Sequence, residues 1–310
     1  MLAVQFDRFG PPEVLALAEF PDPTPGPGQV RVRVHAAGVS PVDLALRAGT
    51  SPTAARLALP HVPGVDAAGV VDALGAGVTD VAVGDAVFGA VDVARLGGAS
   101  AELAVLAFWA RKPDALTWEQ AAASGTGVET ATRALDLLGV GDGATLLIDG
   151  ASGGVGSLAV QLGLARGARV IGTGAPESQD FLATLGALPV PYGPDLASRV
   201  RAAYGTGRIE AALDIAGAGG LAELIELTGD ADAVVTIADF DAPALGVRLS
   251  VGALGGQADG RHGLAAAATL AEEGRFRPPV RAAFPLAQAA RAHALAASGP
   301  HHGKVVLVAR

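Results

Sequence analysis

Apolar and polar positions keep one rhythm in the first third of the chain and another in the middle. Met1-Leu2-Ala3-Val4-Gln5-Phe6-Asp7-Arg8 and Gln29-Val30-Arg31-Val32-Arg33-Val34-His35-Ala36 alternate, as half-buried strands do. Pro21-Asp22-Pro23-Thr24-Pro25-Gly26-Pro27-Gly28 between them reads as a stiff surface loop. Val78 to Phe88 reads as a turn and a strand. From about residue 119 helical and extended patterns take turns. The expected order is a helix from Trp118 to Leu138, a strand at Thr145–Ile148, a helix from Ser157 to Ala165 and a strand at Arg169–Gly172. It continues with a helix from Gln179 to Leu185, a strand near Val190, a helix from Leu196 to Ala203 and a strand from Ile209 to Ile215. A helix from Leu221 to Leu227 and a strand from Ala233 to Ile237 complete it. Such alternation implies an α/β fold, a doubly wound parallel sheet with helices on both faces. Two alanine-rich helices, Leu264–Glu273 and Leu286–Ala297, and a strand, Lys304–Val308, form the tail. The tail is expected to rejoin the first part, giving one domain of residues 1–118 with 256–310 and a second of 119–255.

Within the alternating region, Gly150-Ala151-Ser152-Gly153-Gly154-Val155-Gly156 joins a strand to a helix, and a second strand follows about twenty residues on. Glycines allow a tight turn and close approach to a pyrophosphate. The following helix offers unpaired N–H groups and the positive end of its dipole. The segment is the expected dinucleotide cradle.

Composition narrows the partners. The chain has 310 residues, half of them apolar, and a formal net charge of −9. An acidic balance argues against nucleic acid and against anionic membrane surfaces. With no cysteine, disulfides, thiol nucleophiles and thiolate metal sites are excluded. The N-terminus does not read as a signal peptide, and no apolar run is long enough for a membrane span. A soluble cytoplasmic protein acting on a small molecule is expected.

Several ordered motifs carry a resemblance. They are Ala36-Ala37-Gly38-Val39-Ser40-Pro41-Val42-Asp43, Pro63-Gly64-Val65-Asp66-Ala67-Ala68-Gly69-Val70-Val71, Val83-Gly84-Asp85-Ala86-Val87, Gly98-Ala99-Ser100-Ala101-Glu102 and Glu129-Thr130-Ala131. Together they resemble the medium-chain dehydrogenase/reductase superfamily, and most closely its zinc-free quinone oxidoreductase branch. The resemblance implies a GroES-like β-rich catalytic domain beside a Rossmann dinucleotide-binding domain. It implies pairing of two copies through a sheet edge, for which Val247–Val251 is the candidate. It also places Ser40 and Thr130 near the nicotinamide, as the candidate catalytic residues.

At the positions where zinc-dependent relatives carry ligands, this chain has Ser40 and Val65-Asp66. His35, His61, His262, His293, His301 and His302 are scattered, so no metal is expected. The expected coenzyme contacts are Gly150, Ser152, Gly153, Gly154, Val155, Thr173, Gly174, Tyr192, Gly217, Ile237, Ala238 and Lys304. The second strand ends in Thr173-Gly174-Ala175 without the acid that grips a ribose 2′-hydroxyl, which favours NADPH over NADH. By resemblance Tyr192 lies against the adenosine phosphate; an ordinary strand-end aromatic is the competing reading. Asp43 and Arg47, on a short helix after Ser40, are expected to form an internal salt bridge. The favoured function is NADPH-dependent, zinc-free hydride transfer to a quinone or an α,β-unsaturated carbonyl. A biosynthetic tailoring enzyme on the same fold and a non-catalytic NADPH-binding sensor remain as alternatives.

Overall fold

The structure, a computed structural model, describes residues 1–92, 96–256, 258–299 and 302–309. His301 therefore lies outside the described residues. The chain forms two compact units. One comprises Met1–Thr126, Leu264–Gly299 and Gly303–Arg310; the other comprises Gly127–Gly263 and Pro300–His302.

The first unit opens with a small antiparallel pair, β1 (Leu2–Gln5) and β2 (Ala16–Glu19). Its main strands are β3 (Val30–Val39), β4 (Asp66–Leu74), β5 (Ala86–Val91) and β6 (Leu103–Arg111). β3 pairs antiparallel with both β4 and β6, so these four strands close on themselves. The alternation in Val30–Val34 sends Val30, Val32 and Val34 into the interior, each fully buried, beside Ala67, Val71, Val87 and Leu106. The short helix α1 (Pro41–Ala48) follows β3, with Ser40 at its N-cap and proline at its first position. α2 (Trp118–Ala122) starts in a capping box. The Thr117 hydroxyl accepts from the Gln120 N–H at 3.2 Å, and the Gln120 amide oxygen accepts from the Thr117 N–H at 3.1 Å. The single helix expected over Trp118–Leu138 is instead two, α2 and α3 (Gly125–Leu137). The Ser124 hydroxyl turns back to the Gln120 carbonyl, and the Thr126 N–H goes to Asp66.

The second unit is built on β7 (Thr145–Asp149), α4 (Gly154–Ala165), β8 (Arg169–Gly174), α5 (Gln179–Thr184), β9 (Leu188–Pro191) and α6 (Leu196–Tyr204). It continues with β10 (Ala211–Asp214), α7 (Leu221–Thr228), β11 (Val234–Thr236) and β12 (Arg248–Leu249). These strands make one parallel sheet in the order β12-β11-β10-β7-β8-β9. This is the doubly wound Rossmann order, which reverses between β7 and β10. β7 is buried along its whole length, as a strand covered on both faces must be. The run Val247–Val251 supplies only the two-residue edge strand β12. α4 begins three residues earlier than its apolar pattern starts, so Gly154 and Val155 belong to its first turn.

The tail returns to the first unit. α8 (Gly263–Glu272) leads to β13 (Val280–Pro285), α9 (Ala289–Ala296) and β14 (Lys304–Val308), and β14 pairs antiparallel with β3. Among the described residues no helix is long and apolar enough to cross a membrane.

Candidate functional site

In the second unit, most of the expected coenzyme residues meet at the carboxyl ends of the parallel strands. Gly150 leaves β7 at φ +87°, a conformation that favours glycine. Gly156 packs back on the same turn: a Cβ there would stand 2.2 Å from the Gly150 carbonyl oxygen. A Cβ on Gly153 would meet nothing nearer than 3.8 Å, so the space above the turn is open. Gly153 is the N-cap of α4, which leaves the first N–H groups of the helix without intrahelical acceptors. A glycine cradle with free amides and open space fits a pyrophosphate.

The neighbouring strand ends supply the rest. Ser152 is nearly buried and lies against Gly174 at the end of β8. Gly217 follows β10 and abuts Ala238 after β11: a Cβ on Gly217 would be 2.8 Å from the Ala238 Cβ. The Ile237 N–H bonds the Asp214 carbonyl at 3.0 Å. Tyr192, just past β9, donates its N–H to the Gly174 carbonyl at 3.0 Å, and the residue is 57% exposed.

Two carboxylates that sequence reasoning did not single out sit at the point where strand order reverses. Asp149 and Asp214 are register partners on β7 and β10. Each is capped by a threonine from the next strand outward. Thr173 donates to Asp149, and Thr236 donates to Asp214 at 2.7 Å. Thr173 also accepts the Gly150 N–H at 3.1 Å, so its hydroxyl braces the glycine turn from below. Burial raises the Asp149 carboxyl above the usual range, and the charge of Asp214 adds to the rise. Each acid is the last residue of a buried strand, which is the signal that could have found them.

Thr130 lies on α3 and is tied into a polar network. Its hydroxyl donates to Glu129 at 3.2 Å and accepts from Arg133 at 3.3 Å. Arg133 also pairs with Glu129 at 2.9 Å and donates to Ser250, and the Gly260 N–H bonds Glu129 at 3.0 Å.

Ser40 and Lys304 belong to the first unit, where they meet on Asp66. Asp66 is fully buried. Its Oδ2 accepts from Lys304 Nζ at 2.5 Å, from the Thr126 hydroxyl at 3.0 Å and from the Ser40 hydroxyl at 3.3 Å. Its Oδ1 takes the Thr126 N–H. A buried carboxylate needs a compensating cation and several donors, and β14 delivers the cation to β4. The Lys304 ammonium is thus committed to an ion pair. Beside it, the Asp43 oxygens accept the Ser40 N–H at 2.8 Å and the Gly64 N–H at 3.0 Å. Burial pushes the Asp43 carboxyl up to about 7, against those two bonds, and the charge of Asp66 pushes the same way.

The expected Asp43–Arg47 salt bridge is absent from the ion pairs of the described residues. Arg47 instead donates to the Gly10 carbonyl at 2.7 Å, because the Asp43 carboxylate is already turned toward two backbone N–H groups.

These donors do not fit zinc. There is no thiolate, the Asp66 oxygens are occupied by protein donors, and no cluster of three or more ligating side chains occurs among the described residues. The hydroxyls of Ser40 and Thr130 share one chemical property. Each gives its proton to a carboxylate, Asp66 or the part-buried Glu129, so each presents lone pairs, not a proton, to a ligand.

Comparison with known proteins agrees with this architecture. Residues 26–109 match the alcohol dehydrogenase GroES-like domain, and residues 127–307 match the zinc-binding dehydrogenase family. The chain is 39% identical over 192 residues to a quinone oxidoreductase of Sus scrofa, covering 60% of this chain and 57% of that protein. It is 33% identical over 245 residues to a 2-methylene-furan-3-one reductase of Solanum lycopersicum, covering 74% of this chain and 62% of that one. The chain thus spans less than two thirds of these curated relatives. The structure of the quinone oxidoreductase from Coxiella burnetii superposes with a TM-score of 0.85 at 29% identity, covering 100% of this chain and 99% of the other.

Proposed function

We infer the function from one premise, that the chain belongs to the zinc-binding dehydrogenase family, in the quinone oxidoreductase-like part of the medium-chain dehydrogenase/reductase superfamily. We propose that it is an NADPH-dependent, zinc-independent reductase acting on a quinone or an α,β-unsaturated carbonyl compound. The observation that carries this reading is the open glycine cradle at the carboxyl edge of the parallel sheet, joined there by Thr173, Gly174, Gly217, Ile237 and Ala238.

A bound nicotinamide supplies the hydride. The first-turn amides of α4, at Gly154 and Val155, would hold the pyrophosphate. Gly217, Ile237 and Ala238 would border the dinucleotide along the strand ends. Ser40 and Thr130 serve as acceptors that orient a ligand's N–H or O–H, since their own protons are held by Asp66 and Glu129. The proton that completes reduction of an enone then comes from water. NADPH is preferred because β8 ends in Thr173-Gly174-Ala175 with no acid to grip a ribose hydroxyl, while the exposed Tyr192 is tied to the Gly174 carbonyl through its backbone N–H. Two copies pair through the edge of the parallel sheet at β12, and elution as a single-chain species in size-exclusion chromatography would exclude this pairing.

The test of the activity is direct. The purified chain is mixed with NADPH and a panel of quinones and enones, with and without a zinc chelator, and the nicotinamide absorbance is followed. Turnover that survives the chelator is expected. A complete lack of turnover across a broad panel contradicts the reading, and turnover abolished by the chelator contradicts zinc independence.

A further inference from the structure

Tyr192 sits in a loop that is poor in donors. Pro191-Tyr192-Gly193-Pro194-Asp195 runs from the last residue of β9 to the N-cap of α6, and its two prolines contribute no N–H. Two of its five residues hold positive φ, Gly193 at +115° and Asp195 at +59°. Such a loop is costly to order from within, since Asp195 is not glycine and few internal hydrogen bonds are available.

One side chain closes it from outside. Arg199, in the first turn of α6, donates Nε to the Pro191 carbonyl at 3.0 Å, Nη2 to the Gly193 carbonyl at 2.5 Å and Nη1 to the Pro194 carbonyl. These three carbonyls flank Tyr192 on both sides. A guanidinium offers five donors in a rigid planar fork, so one residue can hold three acceptors at once. The exposed Tyr192 is therefore carried on a backbone that Arg199 fixes. The same backbone is anchored to the end of β8 through the bond from the Tyr192 N–H to the Gly174 carbonyl. In a doubly wound sheet, the end of the second strand is where the ribose 2′ substituent of a dinucleotide is read.

We propose that Arg199 is a specificity-determining positioning residue, acting through Tyr192 to favour a dinucleotide that carries a 2′-phosphate over one that carries a 2′-hydroxyl. The proposal rests on the coenzyme reading above. Arg199 makes its contacts to backbone, so its effect on the ligand passes through the loop it clips. Preorganising an aromatic contact lowers the ordering cost of binding, and that advantage applies only to the ligand whose phosphate reaches the loop.

The experiment titrates NADPH and NADH separately into the full chain, following coenzyme fluorescence. The proteins are the wild type, Arg199→Ala, Arg199→Lys, Tyr192→Ala and the Arg199→Ala/Tyr192→Ala double variant, each first checked by thermal melting. Loss of the clip is expected to weaken NADPH binding about tenfold, the scale of lost bonds to a charged group. NADH binding is expected to stay within about twofold. Tyr192→Ala should give a similar loss, and the double variant no more than either alone, because both changes break one chain of action. Arg199→Lys, which can reach fewer carbonyls, should fall between wild type and Arg199→Ala and serves if the alanine variant does not fold. Equal weakening of NADPH and NADH would overturn the proposal, since a merely structural role does that. Additive losses in the double variant would also overturn it. A wild-type chain that binds neither coenzyme refutes the coenzyme reading itself, and the proposal with it. Wild-type binding with unchanged NADPH affinity in Arg199→Ala refutes the clip alone.

Discussion

The first unit contains a histidine whose burial has a measurable consequence in acid. His293, on α9, is fully buried, and neither ring nitrogen has a hydrogen-bond partner. Burial, with the Arg47 charge adding to it, lowers the imidazole from 6.5 to about 4. In the unfolded chain the ring takes up a proton near 6.5; in the folded chain it does not until far lower pH. The contribution to stability is therefore complete above pH 6.5 and is lost as pH falls through about 4. At 1.36 kcal/mol per pH unit, the full gap is worth about 3.4 kcal/mol, of which about 2 kcal/mol is lost at pH 5. Asp43 works in the opposite direction. Its folded value is raised from 3.8 to about 7, so the folded state gains from protonation as pH falls through 7. By the same linkage that gain is about 2.6 kcal/mol between pH 8 and pH 5. The two effects nearly cancel, and a wild-type pH profile alone reveals neither.

The difference between wild type and His293→Leu isolates the histidine, because leucine is of similar size and does not titrate. Both proteins are unfolded with urea at pH 8, 7, 6 and 5, and tryptophan fluorescence is read. Trp109 and Trp118 both lie in the first unit, and the chain has two tryptophans, so the signal reports the unit that holds His293. Relative to the leucine variant, wild type should lose about 2 kcal/mol between pH 8 and pH 5. Leucine also removes two unpaired buried nitrogens, at about 1–3 kcal/mol each, and should be at least as stable as wild type at pH 8. A stability difference that stays flat across this range would refute the reasoning, because the imidazole would then have found a proton or a partner when folded.

Lys304→Met leaves the buried Asp66 carboxylate without its cation and should cost about 3–5 kcal/mol in urea unfolding, with Asp66→Asn added to it restoring part of the loss. Gly156→Ala forces a Cβ to within 2.2 Å of the Gly150 carbonyl oxygen and should lower the melting temperature markedly. Gly153→Val has room in the free protein, so it should melt near wild type yet lose NADPH binding by calorimetry, since its side chain fills the space left for the pyrophosphate.

Much of the second unit was legible because its signals are local. A buried parallel strand is a short apolar run, and its glycine turn is contiguous in sequence, so β7, α4 and β8 follow from residues 145–174 read in order. The boundaries moved where a side chain found a distant partner. The expected helix over Trp118–Leu138 broke because Thr126 turned to Asp66, which lies 60 residues earlier. The expected Asp43–Arg47 pair, correctly spaced for one face of a helix, lost to the backbone N–H groups of Ser40 and Gly64. Arg199 carried a partial signal, a cation just after a loop with two prolines, but nothing in the sequence says where its guanidinium points.

By itself, then, the sequence determined the alternating α/β unit, the glycine cradle and the lack of thiolate ligands, since each depends on neighbours along the chain. Tertiary structure alone decided that Lys304 meets Asp66 across 238 residues, that Asp149 and Asp214 stand side by side, and that the Ser40 and Thr130 hydroxyls point their protons at Asp66 and Glu129. The reason is physical: periodicity and turn chemistry are set by the backbone nearby, whereas a buried charge takes whichever compensating group folding brings within reach.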